Sequence, residues 1–478
     1  MSGVAGGGVT PLLTAALRDQ LSRSARTHDA VGEPDRGVLA ALRSSGVLGT
    51  AVPRRYGGAG RDMAEVNRMV EEIAAVNPSV AIIAFQHCAV TARIMEHGTD
   101  SQRRYWLPRL ADGSVLAASA WSESGAGAAK QNLATRGRLL DGGQWLLDGA
   151  KTFTTGAGVA DVYLVLAQTT PPPPSPPPPV PVVPPAPVST PAPDPGAAAA
   201  GAADPDTGAR AIPAASATDA GAPAPAPGPA VPVGVSLLAA AASASGSASL
   251  SGPGSDADSG AGAGAVAGAR TRTGDGSGGG RIRYGADGQT FFLVEATRPG
   301  LRAELGLDLT GMRASATGLL SLNGVPVPDT HRLGPTGQAA RIIAGVRGSG
   351  ATLAAVAAGI AQAAFTLALD HARRQRLLDR PQVTHRLADL ATRLASVQAI
   401  VAHTGARTSA DPHLTTLHSK LHASTAAEEI CLDVARMLGS AGYRDDAPIS
   451  RLIADARGIA LMGPTNDLCR DLVAASWT

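Results

Sequence analysis

Several short stretches of this chain carry side chains and backbone suited to chemistry. Lys151-Thr152-Phe153-Thr154-Thr155-Gly156-Ala157 sets an apolar aromatic face beside hydroxyls; its plainest reading is a strand with Phe153 in the core. Trp121-Ser122-Glu123-Ser124-Gly125-Ala126-Gly127 is rich in small residues, so its backbone can approach a ligand closely; alone it reads as a strand-to-turn connection. Arg374 and Arg376, in the run Arg373 to Arg380, can meet a phosphate or form a solvated basic helix end. Gly439-Ser440-Ala441-Gly442 can present backbone amides to an anion. His87, in Phe85-Gln86-His87-Cys88, reads as a core histidine with a second reading at the border of a cavity. Gly463-Pro464 ends a helix without strain, and Asp467 reads as a first-turn helix charge.

The elements that must position these residues follow from periodicity. From Pro11 to Leu110 the pattern is helical, with Leu12, Leu13, Ala16, Leu17 and Leu21 on one stripe and further helices at Val38–Ser44, Ala64–Ala75 and Ser79–Glu96. At Ser114 the period shifts to strands: Val115–Ala120, Leu133–Leu139, Gln144–Leu147 and Asp161–Ala167, with Asp141-Gly142-Gly143 as a hairpin signal. A Pro, Ala, Gly and Ser-rich stretch over about 169–280 interrupts them. It cannot bury enough apolar area to offset ordering entropy and is expected to be disordered. Strands resume at 281–284, Phe291–Glu295, Leu319–Leu322 and Val325–Val327. Helices return over Leu353 to Ala364, Val383–Val401, Leu414–Leu438 and Ile449–Leu461, with a short one from Thr465. The expected fold is α+β: an N-terminal α-helical domain (11–113), a middle β-barrel or sandwich domain (114–168 and 281–334) carrying the insert in a surface connection, and a C-terminal four-helix-bundle domain (335–478).

Composition bounds the function. Hydrophobic residues make up 44% and charged residues 17%, which suits a globular core, and aromatics are only 3%, so alanine must fill much of it. A net charge of +2 favours neither nucleic acid nor an anionic membrane surface. Cys88, Cys431 and Cys469 have no metal-ligand spacing and read as buried, reduced thiols. No metal, no membrane insertion and a cytoplasmic location are expected.

Taken in order, the motifs resemble the acyl-CoA dehydrogenase family of flavoproteins. The likeness rests on Gly46-Val47-Leu48-Gly49 with Val52-Pro53-Arg54-Arg55-Tyr56-Gly57-Gly58-Ala59-Gly60, on His97 to Gln102 with Tyr105-Trp106-Leu107-Pro108, on Gly311-Met312-Arg313-Ala314-Ser315, and on Leu438 to Tyr443. It covers nearly everything outside the insert. It implies FAD, with Ser122 bonded to the flavin ring, Phe153 against the isoalloxazine, and Thr155 at N5, the atom that accepts hydride. Ser124 stands where the family has Pro, and Ala128 lacks a hydroxyl that helps hold the pyrophosphate. Arg374, Arg376, Gly439 and Gly442 would reach FAD across a subunit interface, so a homo-oligomer (dimer or tetramer) or a hetero-oligomer with a homologue is implied.

The same likeness exposes a loss. The family's catalytic glutamate aligns with Gly463, and the alternative base position with Ser349; neither is a carboxylate, and Gly350 replaces a common Arg. The N–H of Gly463 remains as half of an oxyanion site, with His87 near the ligand cavity. The implied activity is an oxidoreductase acting on an acyl thioester, on CoA or an acyl carrier protein, by hydride transfer to flavin N5. The alternatives are a flavin monooxygenase or hydroxylase on the same fold, and a non-catalytic subunit paired with an active homologue.

Overall fold

The structure is a computed structural model that describes residues 12–169 and 284–477. All but Thr169 of the expected insert lies outside the described residues, as do residues 281–283 of the strand expected at 281–284. The described residues all belong to one compact unit made of residues 1–176 and 278–478.

Five helices come first: α1 (Ala15–Val31), α2 (Arg36–Ser44), α3 (Met63–Ala74), α4 (Pro78–His97) and α5 (Asp100–Ala111). Each starts where a side chain takes an orphan backbone N–H: Thr14, Asp35, Asp62, Asn77 and Thr99 all cap. At α5 the cap is reciprocal, because Gln102 returns a bond to the Thr99 N–H. The C-terminal part is α6 (Ala339–Val346), α7 (Ala354–Arg374), α8 (Pro381–Ala406), α9 (Pro412–Leu438), α10 (Pro448–Leu461) and α11 (Asn466–Ala474). One core runs from Leu17, Leu21, Met69 and Ile73 through the alanines of α7 to Val397, Ile430 and Ile459. The scarcity of aromatics is met by close helix approach. A Cβ on Gly359 would stand 2.4 Å from the Glu71 carbonyl oxygen, so only glycine lets α7 lie this near α3. α4 and α7 are long and apolar enough to cross a membrane, but 78% and 56% of their apolar windows are buried within this core.

Between the helical parts lies one sheet: β1 (Ala117–Ala120), β2 (Arg136–Leu140), β3 (Gln144–Thr154), β4 (Val162–Gln168), β5 (Gln289–Glu295), β6 (Leu301–Glu304), β7 (Gly318–Pro328) and β8 (Arg332–Leu333). Its order is β6-β7-β3-β2-β4-β5-β8, with β1 on β4. The expected barrel or sandwich therefore resolves to a single mixed sheet that does not close. The short strands β6 and β8 end the path and do not pair with each other. β4 is apolar from Val162 to Ala167 because both its faces are covered: Val162, Leu164 and Leu166 meet residues of α4, α5 and α6, while Tyr163, Val165 and Ala167 meet Trp145, Phe292 and Val325. The strands expected at Leu319–Leu322 and Val325–Val327 are one continuous strand, β7. Gly324, at φ 58°, is absorbed within it and donates its N–H to Asp148 at 2.6 Å.

Candidate functional site

The site is built around the end of β3. Opposite β7 the register slips between Lys151 and Thr154, so that Thr152 and Phe153 together face only Leu319. Such a bulge bends the strand and re-aims a side chain. Phe153 takes φ 50°, a costly conformation for a bulky residue, and the residue is 65% exposed. The core position open to Phe153 on sequence grounds is thus not the one it holds. Its aromatic face is presented outward at an energetic cost, which is the pattern of a ligand platform. Next to it, Thr155 is buried and shares a 3.0 Å hydrogen bond with the Thr317 hydroxyl, which shares another of 2.8 Å with Ser315.

Ser122 is joined to this strand by backbone, its carbonyl accepting the Thr152 N–H at 2.8 Å. The stronger fastening is an ion pair one residue away on each side. Lys151 Nζ, fully buried, donates to Glu123 Oε1 at 2.5 Å and to the Leu166 carbonyl. Glu123 also accepts from the N–H groups of Ala134 at 2.5 Å and Thr135 at 3.2 Å. Burial pulls the Lys151 ammonium down, to about 8, against the attraction of Glu123. For Glu123 burial acts upward but is outweighed by the Lys151 charge and by these hydrogen bonds, and its pKa is lowered. The pair ties the Ser122 segment, β3 and β4 into one frame.

A second frame holds the loop before β7. Asp455 of α10 accepts the Met312 N–H at 2.5 Å, and Asp29 of α1 accepts from Ala314 at 3.2 Å and from the Ser79 hydroxyl at 2.6 Å. Burial, with Asp29 nearby, pushes the Asp455 carboxyl up to about 7.

α10 leads directly into Gly463. Lys420, buried on α9, donates to the carbonyls of Ala460 at 3.3 Å and Met462 at 3.2 Å and to Asn466 Oδ1 at 2.8 Å, and so fixes the turn on both sides of Gly463. Burial lowers its pKa to about 8. A Cβ added at Gly463 would stand 3.0 Å from the hydroxyl of Tyr284. Ser349 lies beside the same first half of α9, since neighbouring Thr352 bonds Ser419 at 2.9 Å and Arg347 O accepts from Thr416 at 2.6 Å. Its own hydroxyl is turned to the Val346 carbonyl at 2.7 Å, so it is committed to the backbone. Asp467 is exposed and pairs with Arg470 at 2.6 Å, as a first-turn charge does.

The remaining candidates lie elsewhere. His87 is fully buried between α4 and β1, its Nδ1 accepting the Ala117 N–H at 3.3 Å, and burial depresses its pKa to about 4. It is a core histidine, placed against the sheet. Arg374 and Arg376 are exposed at the far end of α7, a helix of 21 residues and so about 30 Å long. α7, α8 and the end of α9 meet there around a small cleft lined by His371, Leu377, Arg386 and Met437. Gly439, at φ 60° and ψ −135°, and Gly442 form the turn that follows. The structure therefore brings Ser122, Phe153 and Thr155 together, sets Gly463 and Ser349 along α9, and holds Arg374, Arg376, Gly439 and Gly442 at the opposite end of the bundle.

Sequence reasoning gave no role to Glu123, Lys151, Lys420, Asp455 or Tyr284. A signal existed for the first two: each is a charge inside a stretch that otherwise pairs or packs as sheet, and such a charge must find a partner. Lys420 and Asp455 sit on long helices where a charge reads by default as solvated, and nothing local marked them.

Comparison with known proteins decides the family. Models of the acyl-CoA dehydrogenase N-terminal, middle and C-terminal domains match residues 13–114, 118–215 and 341–478, in that order. The chain belongs to the acyl-CoA dehydrogenase family, and so to the flavoprotein oxidoreductases. It is 24% identical over 471 residues to an acyl-CoA dehydrogenase of Bacillus subtilis (strain 168), covering 96% of this chain and 93% of that one. It is 23% identical to cyclohexane-1-carbonyl-CoA dehydrogenase of Geobacter metallireducens, covering 98% and 95%. Among solved structures, butyryl-CoA dehydrogenase from Megasphaera elsdenii superposes with a TM-score of 0.67 at 21% identity, covering 97% of this chain and 98% of that chain. The prolyl acyl carrier protein oxidase AnaB superposes with a TM-score of 0.65 at 18% identity, covering 97% and 98%.

The residues present fit a flavin. Phe153 offers an exposed aromatic side chain against which a tricyclic ring could lie, and it adjoins Thr155 along the strand and the Ser122 segment through the Thr152 N–H, on a frame locked by a buried ion pair. The fit is poorer for a pyrophosphate, because Ala128 and Ala129 give no side-chain donor.

Proposed function

We propose that the chain binds FAD at the β3 bulge and acts on an acyl thioester carried by CoA or an acyl carrier protein, with Gly463 in the place of the usual base. The observation that carries this reading is the outward-facing Phe153 on a strained bulge beside Thr155. When bound, FAD would supply a hydride acceptor at its N5. The protein's own part is to hold and orient. Phe153 would cover one face of the ring, and Thr155 and Ser122 would donate hydrogen bonds to its polar edge. The Gly463 N–H, steadied by Lys420, would polarise the thioester carbonyl. Relatives whose names specify thioester substrates, on CoA and on a carrier protein, support that substrate class.

Arg374, Arg376, Gly439 and Gly442, at the end of the bundle opposite Gly463 in one chain, suit contact with the FAD of a second copy, which supports an oligomer. A base is worth about 10²–10⁴-fold in rate, so desaturation by this chain is expected to be slow by that factor. The absence of a carboxylate at both Gly463 and Ser349 equally supports a second reading, a flavin-binding subunit that does not desaturate. Anaerobic addition of acyl thioesters to the FAD-loaded protein, followed by visible absorbance, separates the two. Slow bleaching of the flavin bands supports the enzyme; unchanged bands across a broad panel contradict it.

A further inference from the structure

Tyr284 joins the sheet to the helices at the point where the base is missing. Its neighbour Gly285 donates its N–H to the Ala129 carbonyl at 2.7 Å, and Gln289 reaches the Lys130 carbonyl at 2.7 Å, which anchors this segment to the one that begins at Ser122. The ring packs against the cluster of Leu417, Leu468, Cys469 and Leu472, and its hydroxyl points at Gly463, 3.0 Å from where a Cβ would be. Among the described residues that hydroxyl makes no hydrogen bond, and neither does the Gly463 N–H. The phenol and Gly463 thus stand side by side, each carrying a donor that no acceptor among the described residues takes up.

We propose that the Tyr284 hydroxyl stands where a carboxylate would reach from position 463, and that with the Gly463 N–H it forms a two-donor site for the carbonyl oxygen of the bound thioester. The inference rests on the thioester reading above. Burial, with Cys469 nearby, raises the Tyr284 pKa, so the phenol stays protonated across the neutral range. It is a hydrogen-bond donor and not a base for an α-proton. The same geometry explains the glycine, since any side chain at 463 would press on the phenol. At this place the chain thus offers the thioester carbonyl a hydrogen-bond donor and supplies no base of its own.

The test uses two ligands that differ only at the carbonyl: crotonyl-CoA, which is already desaturated, and S-but-2-enyl-CoA, a thioether without the C=O. Both are titrated calorimetrically into FAD-loaded wild type and Tyr284→Phe at pH 7. Losing one hydrogen bond to a neutral acceptor should weaken crotonyl-CoA by about 3–10-fold and leave the thioether unchanged. An equal loss for both ligands, or none for either, overturns the proposal while the thioester reading survives. If wild type binds neither ligand, the thioester reading itself fails and takes this one with it. A second measurement needs no variant: the infrared C=O stretch of carbonyl-¹³C crotonyl-CoA should fall on binding to wild type, and an unshifted band overturns the two-donor site.

Discussion

The β3 bulge and the Gly463 turn are both held by a buried lysine, yet they differ in what those lysines hold. At the bulge, Lys151 and Glu123 lock a frame that carries an exposed aromatic and two hydroxyls, so scaffold and chemical groups are both present. At the turn, Lys420 grips two carbonyls and Asn466 with the same care, but what it positions is a glycine. The difference teaches that a polar frame and a reactive side chain are separable: the hydrogen bonds of Lys420 maintain the turn whether or not the residue they surround carries a side chain.

The largest effect that can break this comparison is at the bulge. Lys151→Met leaves Glu123 buried without its counter-ion and should cost about 3–5 kcal/mol, seen as a lower denaturation midpoint, together with loss of bound flavin. Lys420→Met should cost less, about 2 kcal/mol, because the stranded acceptors include two carbonyls near solvent. It should weaken thioester binding while the flavin spectrum stays as in wild type. Loss of flavin in both variants would mean that the two frames are not independent.

The Asp455 frame gives a pH-dependent test. Its folded pKa, about 7, lies above the ordinary carboxylate value. Its contribution to stability is therefore fully present below the unfolded pKa near 4 and is lost as pH rises through about 7. Asp455→Asn keeps an acceptor for the Met312 N–H and removes the charge. It should raise stability at pH 8 relative to wild type by on the order of 1–3 kcal/mol, and change it little at pH 4. A uniform change at both pH values would contradict a buried, strained carboxylate. The smallest effect on stability is expected at Phe153, whose exposed ring contributes little packing. Phe153→Ala should relieve the positive-φ strain in part and shift stability by less than about 0.5 kcal/mol.

Much of the fold was legible because long elements repeat their pattern. α8, α9 and α10 were expected to within a few residues, and the change from helix to strand at Ser114 agrees with β1 beginning at Ala117. Where reading failed, a local rule had been overridden by pairing. β3 runs past the expected end at Leu147 on to Thr154, because its register slips between Leu147 and Gly149 and again between Lys151 and Thr154, and each slip breaks the alternation. Asn323-Gly324 carries a turn signal that β7 absorbs, since strong pairing with β3 on either side outweighs it. β6, four residues and mostly exposed, and β8, two residues, are too short to announce themselves, and without them an open sheet cannot be told from a closed one. The site was legible as segments but not as contacts: Phe153, Thr155 and Ser122 were expected together, whereas Tyr284 reads in sequence only as the end of a strand, and its approach to Gly463 is a tertiary fact.

The central claim is that a flavin ring lies against Phe153 at the bulge. FAD titrated into the apo forms of wild type and Phe153→Ala, followed by the shift of the visible flavin bands, tests it most directly. The dissociation constant should rise by about tenfold or more in the variant while its denaturation midpoint stays near that of wild type. Equal affinity for FAD in the two proteins would place the ring elsewhere and contradict the account.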